Sequence, residues 1–206
     1  MFISLEGIDG CGKSTQLDKL EELFLSRKKR VVRVRDPGGT EIAEEIRQVL
    51  LRSRSACMVD SMTELLLYNA ARAQLLAEVI RPALSSEKVV LSDRFAWSTF
   101  AYQGFGRGID PQTIERLTEI SCAGTLPDLT VVIDIPVELS LERRASRSSD
   151  TGEKPDRLEM EKASFFERVR AGYLDAARRH PQRVKVVDGV GTPEEVARRV
   201  AALFPA

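Results

Sequence analysis

Residues 7–14 read Gly-Ile-Asp-Gly-Cys-Gly-Lys-Ser and fit the pattern G-x-x-x-x-G-K-S/T. In this pattern the glycines let backbone N–H groups curl around an anion, while Lys13 can reach the β- and γ-phosphates of a nucleotide. The Ser14 hydroxyl can hold Mg²⁺ at the start of a helix, whose dipole favours negative charge. The alternative is a glycine-rich turn that contains Lys-Ser by coincidence. We predict a loop that binds a nucleoside triphosphate through Gly7, Asp9, Gly10, Cys11, Gly12, Lys13, Ser14 and Thr15.

A second candidate site lies at the end of the apolar run 88–93, where Asp93 is followed by Arg94. A carboxylate at a strand end beside a phosphate-binding loop holds Mg²⁺ directly or through water. Asp134 ends a similar run, and because such residues are often only turn formers, the pattern alone does not choose between the two. Arg94 favours Asp93, since its planar guanidinium could grip a second phosphate with two hydrogen bonds. With Lys13 on one nucleotide and Arg94 on another, both residues would be catalytic in phosphoryl transfer.

Five short apolar runs could position these residues: 2–5, 31–34, 89–91, 131–135 and 184–187. Segments with helical spacing of apolar residues separate them, for example residues 16–25. This alternation predicts an α/β fold in which helices wrap a five-stranded parallel sheet. Ligands of such folds bind beyond the carboxyl ends of the strands. We therefore expect one cleft to collect Asp9, Lys13, Asp36, Asp93, Arg94 and Asp188.

The composition is that of one ordinary domain, because 206 residues with 43% hydrophobic content suffice for a core and no repeat divides residues 1–206. The 31 basic and 31 acidic residues cancel, so we expect small-molecule partners, with no nucleic acid and no membrane. Three scattered cysteines, Cys11, Cys57 and Cys122, fit neither a disulfide framework nor a zinc site. No run approaches the length of a membrane span, and we expect a cytoplasmic protein. We interpret the single histidine, His180, as a surface cap at a helix end.

Four motifs in order along the chain resemble those of thymidylate kinases, which transfer the γ-phosphoryl group of ATP to dTMP. They are residues 35–40 (RDPGGT), 68–72 (YNAAR), 93–108 (beginning DRFAWSTFAYQG) and 156–159 (DRLE). The loop at residues 7–14 contains Asp9 and no arginine, which is similar to bacterial members that place the transfer arginine in a lid. The resemblance implies a P-loop nucleoside monophosphate kinase with ATP as donor, Mg²⁺ as cofactor and a homodimeric assembly.

Two sets of side chains share a helix face and could contact the nucleoside of an acceptor. Tyr68 and Arg72 are four residues apart, which could place a ring under a base and a guanidinium beside a base carbonyl. Thr99, Tyr102 and Gln103 have the same kind of spacing and could read polar edges of base and sugar. Aromatic residues at helical spacing are mostly packing, so Tyr68 in the core and Arg72 on a solvated face form the alternative.

The resemblance gives these residues roles in substrate binding. It implies that Tyr68 stacks on thymine, that Arg72 contacts its O4 atom, and that Thr99 and Gln103 lie against the nucleoside. It further implies that Tyr102 crowds the sugar C2′ position and that Asp9 accepts a hydrogen bond from the 3′-hydroxyl. Asp36, where the family usually has Glu, is carried over as a substrate-binding residue.

Residues 143–156 form the least apolar stretch, and we predict a mobile loop there. A short helical pattern follows Pro136, and if that helix continues far enough, Arg143 and Arg147 lie on one face of it. The stretch resembles the lid of nucleoside monophosphate kinases, about residues 143–157, from which an arginine can stabilise the transferred phosphoryl group and exclude water. The alternative is a charge run that only solubilises a helix face. Because the lid is longer than the bacterial pattern, more than one arginine could contact the γ-phosphoryl group. We assign Arg147 to the γ-phosphoryl group and Arg143 to ATP, with Arg144 and Arg157 as alternatives to Arg147.

Two other functions stay open at the level of the sequence. Residues 36–39 satisfy D-x-x-G and residues 153–156 (EKPD) nearly match the guanine reader N/T-K-x-D, which would suit a regulatory GTP-binding switch. The second of these lies in a polar stretch, where base recognition would lack rigid support. A kinase of the same fold with another small substrate is the closer alternative, against which Tyr68, Thr99 and Tyr102 favour thymidylate.

Overall fold

A sheet of five parallel strands forms the centre of the computed structural model, which describes residues 1–52, 59–151 and 156–205. The strands are β1 (Phe2–Glu6), β2 (Val31–Arg35), β3 (Val89–Asp93), β4 (Leu129–Asp134) and β5 (Val184–Asp188). They lie in the order β2-β3-β1-β4-β5, and every neighbouring pair is parallel. The prediction of an α/β fold with a five-stranded parallel sheet is confirmed.

Four of the strands extend one or two residues beyond the apolar runs that predicted them. Glu6, Arg35, Asp93 and Asp188 are the last residues of β1, β2, β3 and β5. Parallel pairing is made by the backbone and tolerates these side chains, so Arg35 still pairs in register with Asp93. The carboxyl edge of the sheet therefore carries charged residues that belong to the strands themselves.

Nine helices and two π-helical segments connect the strands within the described residues. The helices are α1 (Lys13–Ser26), α2 (Glu41–Arg52), α3 (Ser61–Leu75), α4 (Arg81–Ser85), α5 (Ala96–Thr99), α6 (Pro111–Cys122), α7 (Val137–Thr151), α8 (Ala163–Arg179) and α9 (Pro193–Ala201). The π-helical segment Leu76–Ile80 joins α3 to α4, and Phe100–Gly106 continues α5.

The core lies on both faces of the sheet, as alternation along β3 shows. Val89 and Leu91 belong to a buried cluster with residues of α1, α8 and α9, whereas Val90 belongs to a second cluster with residues of α3 and α4. Successive side chains of a strand point to opposite faces, so helices cover the sheet on each side. This leaves the carboxyl edge of the strands as the place where a cleft can form.

Helix α7 occupies most of the stretch that the composition predicted to be a loop. It extends to Thr151, so the predicted loop is wrong for residues 143–151. The buried face of this helix is made by Val137, Ser140 and Arg144, and two of these three are polar. Hydropathy therefore could not reveal the helix. Residues 152–155 of the expected lid lie outside the described part of the chain.

The single histidine and two of the three cysteines lie within the described residues. His180 is exposed and caps the C-terminal end of α8, where its N–H donates to the carbonyl of Ala176, so the predicted surface cap is confirmed. Cys11 and Cys122 are buried free thiols, and Cys57 lies outside the described residues. Over the described ranges, the helices are all too short or too polar to cross a membrane.

Candidate active site

The phosphate loop, residues 7–12, connects β1 to α1 as its motif predicted. Gly7 has φ +134°, and a Cβ at this position would collide with the carbonyl oxygen of Ile133 on β4. Glycine is required there, because both the backbone conformation and the space exclude a side chain. Gly12, with φ +96°, turns the chain into α1, whose N-terminal N–H groups are available to an anion.

Lys13 lies folded over this loop at the first position of α1. Its Nζ atom donates to the carbonyl oxygens of Gly7 and Ile8, both at 3.2 Å, and the residue is only 8% exposed. Ser140 of α7 donates to the carbonyl of Asp9 at 2.6 Å and so fixes the other side of the loop. Lys13 of α1 and Ser140 of α7 therefore fix the curved conformation of the loop from two sides.

A large cavity of about 710 Å³ lies beside the phosphate loop at the carboxyl edge of the sheet. Most of the residues predicted to bind ATP line it, but Gly7 and Cys11 do not. Asp188, expected in the same cleft, lines neither this cavity nor the smaller one beside it, and its carboxylate accepts from the N–H of Val190 at 2.9 Å. The Cys11 side chain is buried in the core, so contact with a nucleotide would have to come from its backbone. The lining comprises Asp9, Gly10, Gly12, Lys13, Ser14, Thr15, Arg35, Asp36, Arg47, Asp93, Arg94, Arg143, Arg147, Asp156 and Glu159.

The two carboxylates that the sequence could not separate differ in their surroundings. Asp93 lines the large cavity together with Ser14. Asp134 instead accepts hydrogen bonds from Arg170 at both oxygens, at 2.7 and 2.9 Å. Among the described residues there is no group of three or more acidic, His or Cys side chains that could hold a metal. Of the two, Asp93 is therefore the carboxylate that faces the cavity.

Arg94 is the centre of a polar cluster beside the loop. It has φ +68°, and its Nη2 atom donates to Asp9 at 2.5 Å and to the Tyr102 hydroxyl at 3.0 Å. Tyr102 in turn donates to the other oxygen of Asp9 at 2.8 Å. Burial works against ionisation of Asp9, yet the charges of Arg94 and Lys13 hold its pKa well below the usual range. Asp9 is thus an anion that ties the loop to Arg94.

A small cavity of about 90 Å³ adjoins this cluster and gathers every residue predicted to contact the acceptor nucleotide. The segment Phe100–Gly106 is π-helical and not the regular helix assumed for the spacing, but its wider turns keep the predicted side chains together. The cavity is lined by Asp9, Asp36, Pro37, Arg47, Leu51, Tyr68, Arg72, Arg94, Ser98, Thr99, Tyr102, Gln103, Asp156 and Leu158.

Arg72 and Asp36 form a buried ion pair at the wall of this small cavity, and Asp36 also lines the large one. The Nε atom of Arg72 lies 2.6 Å from Asp36, and both side chains are 1% exposed, so the alternative that placed Arg72 on a solvated face is wrong. Arg72 also donates to the Thr99 hydroxyl at 2.7 Å. Burial raises the pKa of Asp36 and Arg72 opposes that rise. The Oδ1 atom of Asp36 has no hydrogen-bond partner among the described residues.

Four residues at or behind the two cavities were missed by sequence reasoning. Arg47 of α2 lines both cavities and donates to the carbonyl of Pro37. Glu64 of α3 is fully buried and accepts from Gln103 at 2.6 Å. Glu6 and Tyr173 lie behind Arg94 and bond to each other at 3.0 Å. Of these residues, Glu6 alone had a signal in the sequence, since it is a carboxylate directly after the apolar run 2–5.

The four arginines near the lid have different neighbours. Arg143 and Arg147 line the large cavity, and Arg147 forms an ion pair with Glu159. Arg144 lies over the ring of Phe166 at 4.1 Å and donates to the carbonyl of Glu159. Arg157 is paired with the buried carboxylate of Glu64. Among the three candidates for the γ-phosphoryl contact, only Arg147 lines the large cavity.

The motifs that suggested a GTP-binding switch gain no support from their positions. Asp36, the first residue of the D-x-x-G match, is engaged with Arg72 in the buried pair. Residues 153–155 of the second match lie outside the described part of the chain.

Comparison with known proteins places the chain among well-defined relatives. A family model described as thymidylate kinase matches residues 5–200. The thymidylate kinase of Trichlorobacter lovleyi is 48% identical over 202 residues, covering 98% of this chain and 95% of the relative. That of Syntrophotalea carbinolica is 47% identical over 97% of this chain and 92% of its own length.

A solved structure agrees with these matches. The crystal structure of thymidylate kinase from Ehrlichia chaffeensis superposes with a TM-score of 0.79 at 33% identity, covering 100% of this chain and 98% of that one. Both the sequence and the fold therefore match along nearly the whole length. The chain belongs to the thymidylate kinase family.

Proposed function

We propose that this protein transfers the γ-phosphoryl group of ATP to dTMP and so forms dTDP. The observation that carries the proposal is the junction of the two cavities, which share Asp9, Asp36, Arg47, Arg94 and Asp156 in their walls. One cavity contains the phosphate loop and the other the nucleoside-reading side chains. Two nucleotides bound in them would meet at Arg94 with their phosphates facing each other.

Transfer at this junction needs positioning and charge stabilisation more than covalent chemistry. Lys13 and the N-terminus of α1 would hold the β- and γ-phosphates of ATP, with Arg143 on the donor nucleotide. Arg94 would grip the acceptor phosphate and align its oxygen with the γ-phosphorus. Arg147 would approach the transferred group from α7 and stabilise the charge on its equatorial oxygens. The phosphate oxygen of dTMP is itself the nucleophile, so no obligatory general base is invoked.

The small cavity would hold the nucleoside of dTMP. Tyr68 provides a ring for stacking on thymine, and Arg72 and Gln103 provide polar groups for the base edges. The Tyr102 ring would crowd C2′ of the sugar, and Asp9 would accept from the 3′-hydroxyl. Asp36 and Thr99 would support Arg72 in this role, since both are hydrogen-bonded to its guanidinium and hold it in place.

The family implies Mg²⁺ as the cofactor, and the donor atoms present suit it. Ser14 and Asp93 place a hydroxyl and a carboxylate on the wall of the large cavity. Mg²⁺ is commonly held by one or two such oxygens together with water and substrate phosphates, so a larger acidic cluster is not required. Bound there, the ion would neutralise charge on the β- and γ-phosphates.

The experiment that tests this function is a screen of phosphate acceptors with ATP and Mg²⁺. We expect dTMP to have the highest kcat/KM among dTMP, dUMP, dCMP, dGMP and AMP, and thymidine to remain unphosphorylated. The Lys13→Ala variant serves as the control for contaminating kinases. A preference for another monophosphate or for a nucleoside would overturn the substrate assignment, and stabilisation by GTP alone in a melting assay would favour the switch.

We also propose that residues 1–206 act as one kinase domain with a lid at about residues 143–157, that the protein is a homodimer, and that it works in the cytoplasm on free nucleotides. Family membership supports the homodimer. Light scattering coupled to size exclusion would measure the mass in solution, and a monomer over the whole concentration range would contradict that proposal.

A further inference from the structure

A fully buried carboxylate lies behind Arg94, on the side away from both cavities. Glu6, the last residue of β1, accepts a hydrogen bond from the N–H of Phe95 at 2.8 Å. It also accepts from the Ser98 hydroxyl at 2.6 Å and from the Tyr173 hydroxyl at 3.0 Å. Three donors, from the turn after Arg94, from α5 and from α8, thus converge on one side chain with 0% exposure.

The same two hydroxyl groups face Arg94. Its Nη1 atom lies 3.0 Å from the Tyr173 oxygen, 3.1 Å from the Ser98 oxygen and 3.0 Å from the carbonyl of Gly7. A hydroxyl has one proton, and a carboxylate can only accept. With their protons directed to Glu6, Tyr173 and Ser98 turn oxygen lone pairs toward the guanidinium. Glu6 therefore sets the direction of the hydrogen bonds that hold Arg94.

This support compensates for an unfavourable backbone position. Arg94 has φ +68°, a conformation in which residues other than glycine are uncommon, and it directly follows the end of β3. The Nη2 side of the guanidinium contacts Asp9, which lines both cavities, and Tyr102, which lines the small one. The Nη1 side contacts Tyr173, which lines neither cavity, and Ser98, which lines the small one. The guanidinium is thus fixed from behind while its other side faces the ligands.

We propose that Glu6 and Tyr173 are positioning residues that orient Arg94 toward the acceptor phosphate. This inference rests on the proposed function, because it assumes that Arg94 binds that phosphate. Neither residue lines either of the two cavities, so each would affect the acceptor phosphate through Arg94 and not by direct contact. Loss of the Tyr173 hydroxyl should weaken binding of a phosphorylated acceptor and leave binding of its nucleoside unchanged.

The test is Tyr173→Phe, which removes one oxygen from a buried ring. We expect the KM for dTMP to rise about tenfold, as for the loss of a hydrogen bond to a charged group, with the KM for ATP and the Kd for thymidine within about twofold of wild type. Ser4→Ala is the matched control, since it removes a buried hydroxyl of the same strand as Glu6 that bonds to Thr130, at 2.8 Å, and lines neither cavity. That variant should leave the KM for dTMP unchanged.

A double-mutant cycle shows whether the effect passes through Arg94. In an Arg94→Ala background, Tyr173→Phe should add nothing to the loss of dTMP affinity. Glu6→Gln should reproduce the selective loss if it folds, because its amide donates where the carboxylate accepts.

Equal losses of dTMP and thymidine affinity, an additive effect in the double variant, or an unchanged KM for dTMP in Tyr173→Phe would each overturn the inference. Failure of the proposed function would be visible separately, as a wild-type protein that does not phosphorylate dTMP. If another monophosphate were the acceptor, the same comparison would be made with it and its nucleoside.

Discussion

Replacing Arg72 with Met should destabilise the folded protein by about 3–5 kcal/mol at neutral pH, because it leaves the buried carboxylate of Asp36 without its counter-charge. The methionine side chain keeps most of the aliphatic volume, so the cost comes from the unpaired charge and not from a cavity. The pair is 2.6 Å apart with both side chains 1% exposed, so solvent cannot replace the missing guanidinium. For a chain of this length the loss corresponds to a lowering of Tm on the order of 10 °C.

The loss of stability in Arg72→Met should depend on pH, and the burial of Asp36 determines whether it is larger at low or at high pH. Burial raises the pKa of Asp36 in the folded state, and Arg72 opposes this rise. A carboxyl group with a raised folded-state pKa binds its proton more tightly when folded, so stability declines as pH increases from the unfolded pKa through the folded one. Without Arg72 the folded pKa rises further. Arg72→Met should therefore cost less near pH 5 than near pH 7.

Urea unfolding at the two pH values measures both effects. The control is Arg33→Met, which removes an exposed ion pair with Asp18 and should cost less than about 1 kcal/mol. Adding Asp36→Asn to Arg72→Met removes the buried charge and should restore part of the lost stability. A cost in Arg72→Met no larger than in the control, or one equal at both pH values, would refute the reasoning.

Three further predictions concern activity. Lys13→Ala should reduce kcat more than about tenfold with the fold intact by circular dichroism, because the ammonium group stabilises phosphate charge, and a smaller loss in a steady-state assay would exclude that role. Arg94→Ala should raise the KM for dTMP far more than that for ATP and leave thymidine binding little changed, whereas a comparable loss of ATP affinity would show that the assignment is wrong. Arg147→Ala should lower kcat about tenfold or more with nearly unchanged KM values, since its contact belongs to the transition state. Arg144→Ala and Arg157→Ala are its comparisons, and wild-type kcat in all three single variants and in the triple variant would mean that the lid supplies no charge stabilisation.

The sequence predicted the parts of this molecule whose signals are local. The phosphate loop is a contiguous motif between a strand and a helix, and the strands are short apolar runs, so both were found from spacing and hydropathy. The gathering of Asp9, Asp36, Asp93 and Arg94 at one edge was expected because the carboxyl ends of parallel strands share that edge. The division of this region into two cavities was not predicted.

What the sequence could not predict depends on polar contacts between distant segments. Helix α7 buries Ser140 and Arg144 against the phosphate loop, and no hydrophobic period marks such a face. Glu6 and Tyr173 are hydrogen-bonded although 167 residues separate them. Arg157 was one of the candidates for the γ-phosphoryl contact, but it is paired with Glu64 of a distant helix. Charged side chains that find partners only in the folded state leave no pattern along the chain.

The central position of β1 has a consequence for how the chain folds. This strand precedes the other four along the chain, but its two neighbours are β3 at residues 89–93 and β4 at residues 129–134. Both of its edges stay unpaired until those distant segments have emerged, and pairing over such separations is slow. A nascent or truncated chain that stops before Asp134 would present an apolar strand with an open edge, which is a site for aggregation. The phosphate loop that follows β1 lies against Ile133 and is fixed by Ser140, so it reaches its final form only once residues 129–140 are in place.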